Sequence, residues 1–129
     1  MTITVHHLNN SRSQRILWLL EELGADYEVA AYQRDAETNL APPELSEAHP
    51  LGKSPLIEDN GLQVAESGAI IQYLCERHGG GSWLPEADTE DHVRHLEWMQ
   101  FGESSFFVPV MLKLYTGRLG DAAAGRWAR

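Results

Sequence analysis

Cysteine is almost missing from this chain: Cys75 is the only one in 129 residues. A lone thiol excludes an intrachain disulfide and any Cys-x-x-Cys redox pair, which argues against a dithiol oxidoreductase. Long apolar runs are missing too, since nothing approaches the ~20 residues of a membrane-spanning helix. Met1-Thr2-Ile3-Thr4-Val5 goes straight into a strand pattern, with no basic leader and no small-residue cleavage site. A cytoplasmic protein is the expectation. Basic residues are scarce: 10 Lys and Arg stand against 19 Asp and Glu, for a net charge of −9. That field repels phosphate backbones and anionic lipid, so neither nucleic acid nor membrane is expected as a partner. Any anionic ligand must be held by local groups such as Arg15, Lys53 and helix N-termini.

What remains is the composition of a soluble globular protein, 43% hydrophobic and 22% charged. The length allows one domain with a real core and is short for two. Ile3 and Val5 alternate with Thr2 and Thr4, which predicts a strand over 2–8 that stops at Asn9-Asn10. The run from Ile16 to Leu23 predicts a helix, apolar on most faces and therefore largely buried, closed by Gly24. Tyr27 to Tyr32 predicts a second strand, parallel to the first through a right-handed crossover. A polar loop over 33–43 leads to a short helix over 44–48. Asp59-Asn60-Gly61 between Leu56-Ile57 and Leu62-Gln63-Val64 is a hairpin signal, because Asn-Gly takes the positive φ values of a type I′ turn. A helix over 68–78 follows. The order is β-α-β, loop, β-β-α: an α/β domain with a mixed four-stranded sheet.

Gly79-Gly80-Gly81-Ser82 breaks the composition, placing a first domain over 1–81, a linker over 82–88 and a helical segment over 89–129. Val93, Leu96, Phe107 and Leu114 recur at helical spacing up to Gly117, which predicts one long amphipathic helix kinked at Pro109. Residues 121–129 read as the start of another helix.

Two clusters have the character of a ligand cradle. In His49-Pro50-Leu51-Gly52-Lys53-Ser54-Pro55, Pro55 opens a strand, where its missing N–H is tolerated. A cis Ser54-Pro55 bond would turn the Ser54 backbone toward a peptide-like ligand. Farther on, Ser67 stands where an N-cap belongs, so helical N–H groups there suit a carboxylate, while Glu66 suits an ammonium group. The pair would hold the two charged ends of an amino acid. Without a ligand, the same residues read as a strand-opening proline, a cap and a first-turn acid. His92 and His95 lie three apart on a helix with no third ligand, so no metal is expected. Cys75 reads as a small packed hydrophobe.

The run from His49 to Pro55, followed by Glu66-Ser67-Gly68-Ala69-Ile70-Ile71, resembles the glutathione-binding half of the soluble glutathione S-transferases. Asn9-Asn10-Ser11-Arg12-Ser13-Gln14-Arg15 resembles the serine-type classes, especially bacterial members. The resemblance implies a thioredoxin-like domain followed by the first part of an all-helical domain, glutathione as co-substrate, and pairing of two copies. It implies that Lys53 binds the glycine-end carboxylate, that Ser54 pairs its backbone with the cysteinyl portion beside Pro55, and that Glu66 and Ser67 hold the γ-glutamyl end. His49 replaces the family's usual Asn, and either a carboxylate contact or packing before Pro50 would explain it. Ser11, at the strand-to-helix turn, would donate a hydrogen bond to the ligand's sulfur; a second reading makes Ser11-x-x-Gln14 a capping box, and Ser13 and Asn10 are alternative donors.

The implied function is a glutathione transferase acting on small hydrophobic electrophiles or peroxides. The helical part after the linker is shorter than the family's norm, so Phe101, Phe106, Phe107, Met111 and Leu114 would lack bundle partners. The alternative is therefore a glutathione-binding module without transferase activity.

Overall fold

The structure, a computed structural model, describes residues 2–119. The chain divides into two compact units, one up to Leu84 and one from Pro85.

In the first unit β1 (Ile3–Leu8), α1 (Ser13–Leu23) and β2 (Tyr27–Tyr32) form the strand–helix–strand start, followed by α2 (Glu44–Ala48), β3 (Leu56–Asp59), β4 (Leu62–Ala65) and α3 (Ser67–His78). The sheet order is β2-β1-β3-β4. β1 runs parallel to β2, with Val5 opposite Val29, and antiparallel to β3, with Val5 opposite Ile57. The β3–β4 hairpin turns through Asn60 and Gly61 at φ 53° and 82°, the two positive values that the Asn-Gly pair predicts.

Period two sends Ile3 and Val5 to one face of β1, where they meet Ile57, Ile16 and Leu20 of α1, and Ile70 and Leu74 of α3. α1 is less buried than its composition predicts. Ser13, Ile16 and Leu20 are the buried residues, while Trp18 is 68% exposed and donates its indole N–H to Glu22 at 3.0 Å. One stripe faces the sheet and the other faces water, as for an ordinary surface helix. It ends as expected: Gly24 takes φ 63°, and Gly24 and Ala25 donate back to the carbonyls of Glu21 and Leu20 in a Schellman closure.

Asp59 looks in sequence like a turn residue and is instead a buried anchor. Its carboxylate accepts from Asn60 Nδ2 at 2.7 Å, His78 Nε2 at 2.9 Å and Tyr73 Oη at 3.0 Å, tying the hairpin to α3.

In the second unit Thr89 caps α4 (Glu90–Gln100) by accepting the N–H of His92 at 3.2 Å. A π-helical stretch (Phe101–Phe106) and then α5 (Phe107–Arg118) follow. The helix irregularity thus lies before Pro109 rather than at it. Ser104 Oγ donates to the Gln100 carbonyl at 2.6 Å, taking the acceptor of the regular i→i−4 bond, and Pro109 has no N–H to return the ladder to Ser105. The expected further helix over 121–129 lies outside the described residues. Among the described residues, no helix is long and apolar enough to cross a membrane.

Candidate active site

The strand register brings the sequence-predicted residues to one end of the sheet. His6 opposite Leu56, and Leu56 opposite Ala65, set the end of β1, the start of β3 and the end of β4 side by side. Ser11 extends from the first of these, Ser54 and Pro55 precede the second, and Glu66 and Ser67 follow the third.

Ser11 Oγ accepts the N–H of Ser13 at 3.2 Å and lies 2.7 Å from Ser13 Oγ and 3.4 Å from Ser54 Oγ. The capping box over Ser11 and Gln14 gives way to this tighter turn: α1 begins at Ser13, and Arg12 stands in the cap position with no side-chain cap bond. Asn10 takes φ 51°, and the loop is held by Arg34, whose N–H donates to Asn9 Oδ1 at 2.7 Å and whose guanidinium donates to the Asn9 carbonyl at 3.0 Å. No local sequence signal couples Arg34 to this loop; the parallel pairing of β1 with β2 brings it there.

Ser54 Oγ donates to the His6 carbonyl at 2.8 Å and accepts the Leu8 N–H at 3.2 Å. The Ser54–Pro55 bond is cis and Pro55 is buried. His49 shapes the loop ahead of them: its Nδ1 accepts the Leu51 N–H at 3.3 Å and its carbonyl accepts the Gly52 N–H at 2.8 Å. Gly52 takes φ 56°, and a Cβ there would come within 2.5 Å of Ser46 Oγ, so this turn favours glycine. Lys53 is exposed beside it.

The β4–α3 junction corrects the expected cap. Ser67 is the first residue of α3 and Glu66 the cap residue, because the Glu66 carbonyl accepts the Ile70 N–H at 2.9 Å. Glu66 is exposed, with φ 73° and ψ 122°, outside the regions ordinary side chains prefer. Ser67 is 2% exposed, and its Oγ has no hydrogen-bond partner. Cys75 is buried, and burial followed by the Glu76 charge raises its thiol above the ordinary range, as suits a packed side chain.

A parallel β-α-β start, an antiparallel β-β-α finish and a cis-proline loop beside the first helix define a thioredoxin-like domain. The sequence model of the glutathione S-transferase N-terminal domain matches residues 1–76. Glutathione S-transferase 3 of Schizosaccharomyces pombe is 42% identical over 103 residues, 80% of this chain and 42% of that protein. The crystal structure of a glutathione S-transferase from Actinobacillus pleuropneumoniae superposes with a TM-score of 0.82 at 40% identity, covering 95% of this chain and 58% of that one. A glutathione transferase homologue from Lodderomyces elongisporus, solved with two glutathione molecules per subunit, superposes with a TM-score of 0.65 at 26% identity, covering 78% of this chain and 50% of that one. The chain belongs to the glutathione S-transferase family. It spans about half the length of the relatives it matches.

Proposed function

We propose that this chain binds glutathione at the described end of the sheet and acts as a serine-type glutathione transferase. The observation that carries the reading is the Ser67 hydroxyl, buried and unpartnered at the head of a 12-residue helix. An unsatisfied buried polar group costs roughly 1–3 kcal/mol. A ligand carboxylate at this helix start would satisfy the hydroxyl and meet the first-turn N–H groups. The γ-glutamyl end of glutathione supplies that carboxylate, and its ammonium suits Glu66.

Ser54 then pairs its backbone with the cysteinyl portion beside Pro55, and Lys53 meets the glycine carboxylate. His49 acts through the turn it holds, which presents Lys53. Ser11 donates its O–H to the sulfur. A thiol of pKa about 8.5 is only a few per cent ionised at neutral pH, and both this bond and the positive end of α1 favour the anion. The thiolate forms a carbon–sulfur bond with a small hydrophobic electrophile and expels its leaving group, or attacks a peroxide oxygen, breaking the O–O bond so that the sulfur is oxidised to a sulfenic acid and the other oxygen leaves as an alcohol. The exposed Phe101, Phe106 and Leu114 support pairing of two copies. The chemistry suits a cytoplasmic enzyme.

The test is a calorimetric titration of glutathione into the chain, with a thioether-forming assay on wild type and Ser11→Ala. Binding with turnover that falls at least about tenfold in Ser11→Ala is expected, as for removal of an anion-stabilising donor. Binding without turnover would assign a glutathione-binding module instead, and absence of binding would refute the proposal.

A further inference from the structure

The Ser13 hydroxyl is fully buried and lies 2.7 Å from Ser11 Oγ, 2.8 Å from His7 Nδ1 and 3.4 Å from the Leu8 carbonyl. It has one proton to give. His7 reaches it because period two continues the face of Ile3 and Val5 toward α1. The neighbouring His6 instead meets Tyr32 Oη at 2.9 Å.

Counting protons shows what controls Ser11. Ser54 gives its proton to His6 and uses its hydroxyl as the acceptor for Leu8, so it donates nothing to Ser11. The direction of the 2.7 Å contact between Ser11 and Ser13 therefore depends on the other two partners of Ser13, His7 Nδ1 at 2.8 Å and the Leu8 carbonyl at 3.4 Å, and the shorter contact to His7 dominates. If His7 Nδ1 is bare, Ser13 donates to it and the single Ser11 proton goes to Ser13, so a ligand must compete with Ser13 for it. If His7 Nδ1 carries hydrogen, it donates to Ser13, and Ser13 gives its proton to Ser11 at 2.7 Å rather than to the Leu8 carbonyl at 3.4 Å, the longer and weaker contact. Ser11 Oγ then accepts two bonds, from the N–H and the O–H of Ser13, and its own proton is left for the ligand, with the long 3.4 Å contact to Ser54 Oγ as the weaker alternative. This arrangement serves a thiolate best, because the donor is free without breaking a bond to Ser13.

The geometry points to His7 as a positioning residue: its Nδ1–H, relayed through the buried Ser13 hydroxyl, turns the Ser11 proton toward the sulfur of glutathione. This rests on the reading of Ser11 as the thiolate's donor. No proton is consumed, since the relay fixes orientation only. It also separates two serines that sequence treats as alternatives, with Ser11 as the donor and Ser13 as the link behind it.

The first measurement needs no ligand. Nitrogen shifts of the histidine rings at about pH 8, above the ordinary imidazole range, are assigned with His7→Asn. A protonated Nδ1 on His7 is expected, and a bare one would overturn the relay.

The second is the thiolate fraction of bound glutathione, read by ultraviolet absorbance against pH. Ser13→Ala and His7→Leu should each lower it at neutral pH by roughly three- to tenfold, the range for one hydrogen bond. They should reduce kcat and leave the KM for glutathione near wild type. His7→Asn, whose amide places an N–H near the Nδ1 position, should recover most of the loss. Adding His7→Leu to Ser11→Ala should change nothing further. If Ser11→Ala suppresses the thiolate while Ser13→Ala and His7→Leu do not, the relay is wrong and the Ser11 reading stands. If Ser11→Ala has no effect, or glutathione does not bind, both fall.

Discussion

Replacing Asp59 with Asn tests the anchor between the hairpin and α3. The side chain is 3% exposed and accepts from Asn60, Tyr73 and His78 at 2.7, 3.0 and 2.9 Å. Asn keeps the shape but exchanges one acceptor oxygen for an N–H, which must then face a donor. A hydrogen bond to a charged group contributes roughly 1.5–3 kcal/mol, and a donor left unmatched adds to the loss. Because His78 is 29% exposed, water makes good part of its loss. The net expectation is about 2–3 kcal/mol. For a domain of this size 1 kcal/mol moves Tm by about 4–8 °C, so Asp59→Asn should melt roughly 10–20 °C lower by calorimetry or circular dichroism.

The pH dependence gives an internal control. Burial pushes the Asp59 carboxyl up, but hydrogen bonds from His78 and Tyr73 and the charges of His78 and Arg77 outweigh it, so the net shift is downward. A depressed folded-state pKa contributes stability above the unfolded value, about 3.9. That contribution disappears as pH falls through the folded value below it. The gap between wild type and Asp59→Asn should therefore be full near neutrality and narrow below about pH 4. A variant melting within about 2 °C of wild type at pH 7 would refute the anchor, given the expected 4–8 °C per kcal/mol.

Two further substitutions separate stability from binding. Ser67→Ala should leave the free protein as stable as wild type or more stable by up to about 1 kcal/mol, since it deletes an unsatisfied hydroxyl; calorimetry should show glutathione binding weakened about tenfold. A loss of stability with unchanged affinity would contradict the ligand role. Glu66→Gly should relieve a φ of 73°. Strain of this kind costs about 1–3 kcal/mol, partly offset by the flexibility of glycine. Denaturant melts should show a gain near 1 kcal/mol together with weaker binding.

The sequence was most informative where a feature is local. Asn60-Gly61 announces its turn, Gly24 its helix end, and the alternation of Ile3 and Val5 the face that α1 covers. The strand that follows Pro55 and the helix that follows Glu66 were also readable, because each is set by residues close in the chain. The errors came where one backbone angle or a distant partner decided the outcome. Glu66 takes a positive φ that its side chain does not advertise, moving Ser67 from the cap into the first turn. Arg34 joins the Asn9-Asn10 loop only through strand pairing. His7 reads as a strand residue until α1 brings Ser13 against it, and the π turn goes with a hydroxyl reaching back to Gln100 as well as with Pro109.

The hydroxyl of Ser54 has one more consequence. Pairing between β1 and β3 reaches His6 opposite Leu56, and continuing that register would set Ser54 across from Leu8. The side chain already takes the Leu8 N–H and supplies a proton to the His6 carbonyl, so it acts as a surrogate peptide group at the end of the ladder. The sheet is thereby finished without the main chain of Ser54. Under the proposed reading, that leaves the Ser54 peptide unit for glutathione, which would extend the sheet as a short guest strand. A threonine could play the same double part. A valine of the same shape would leave the edge of β1 with a donor and an acceptor seeking partners, and would compete with the guest for the Ser54 backbone.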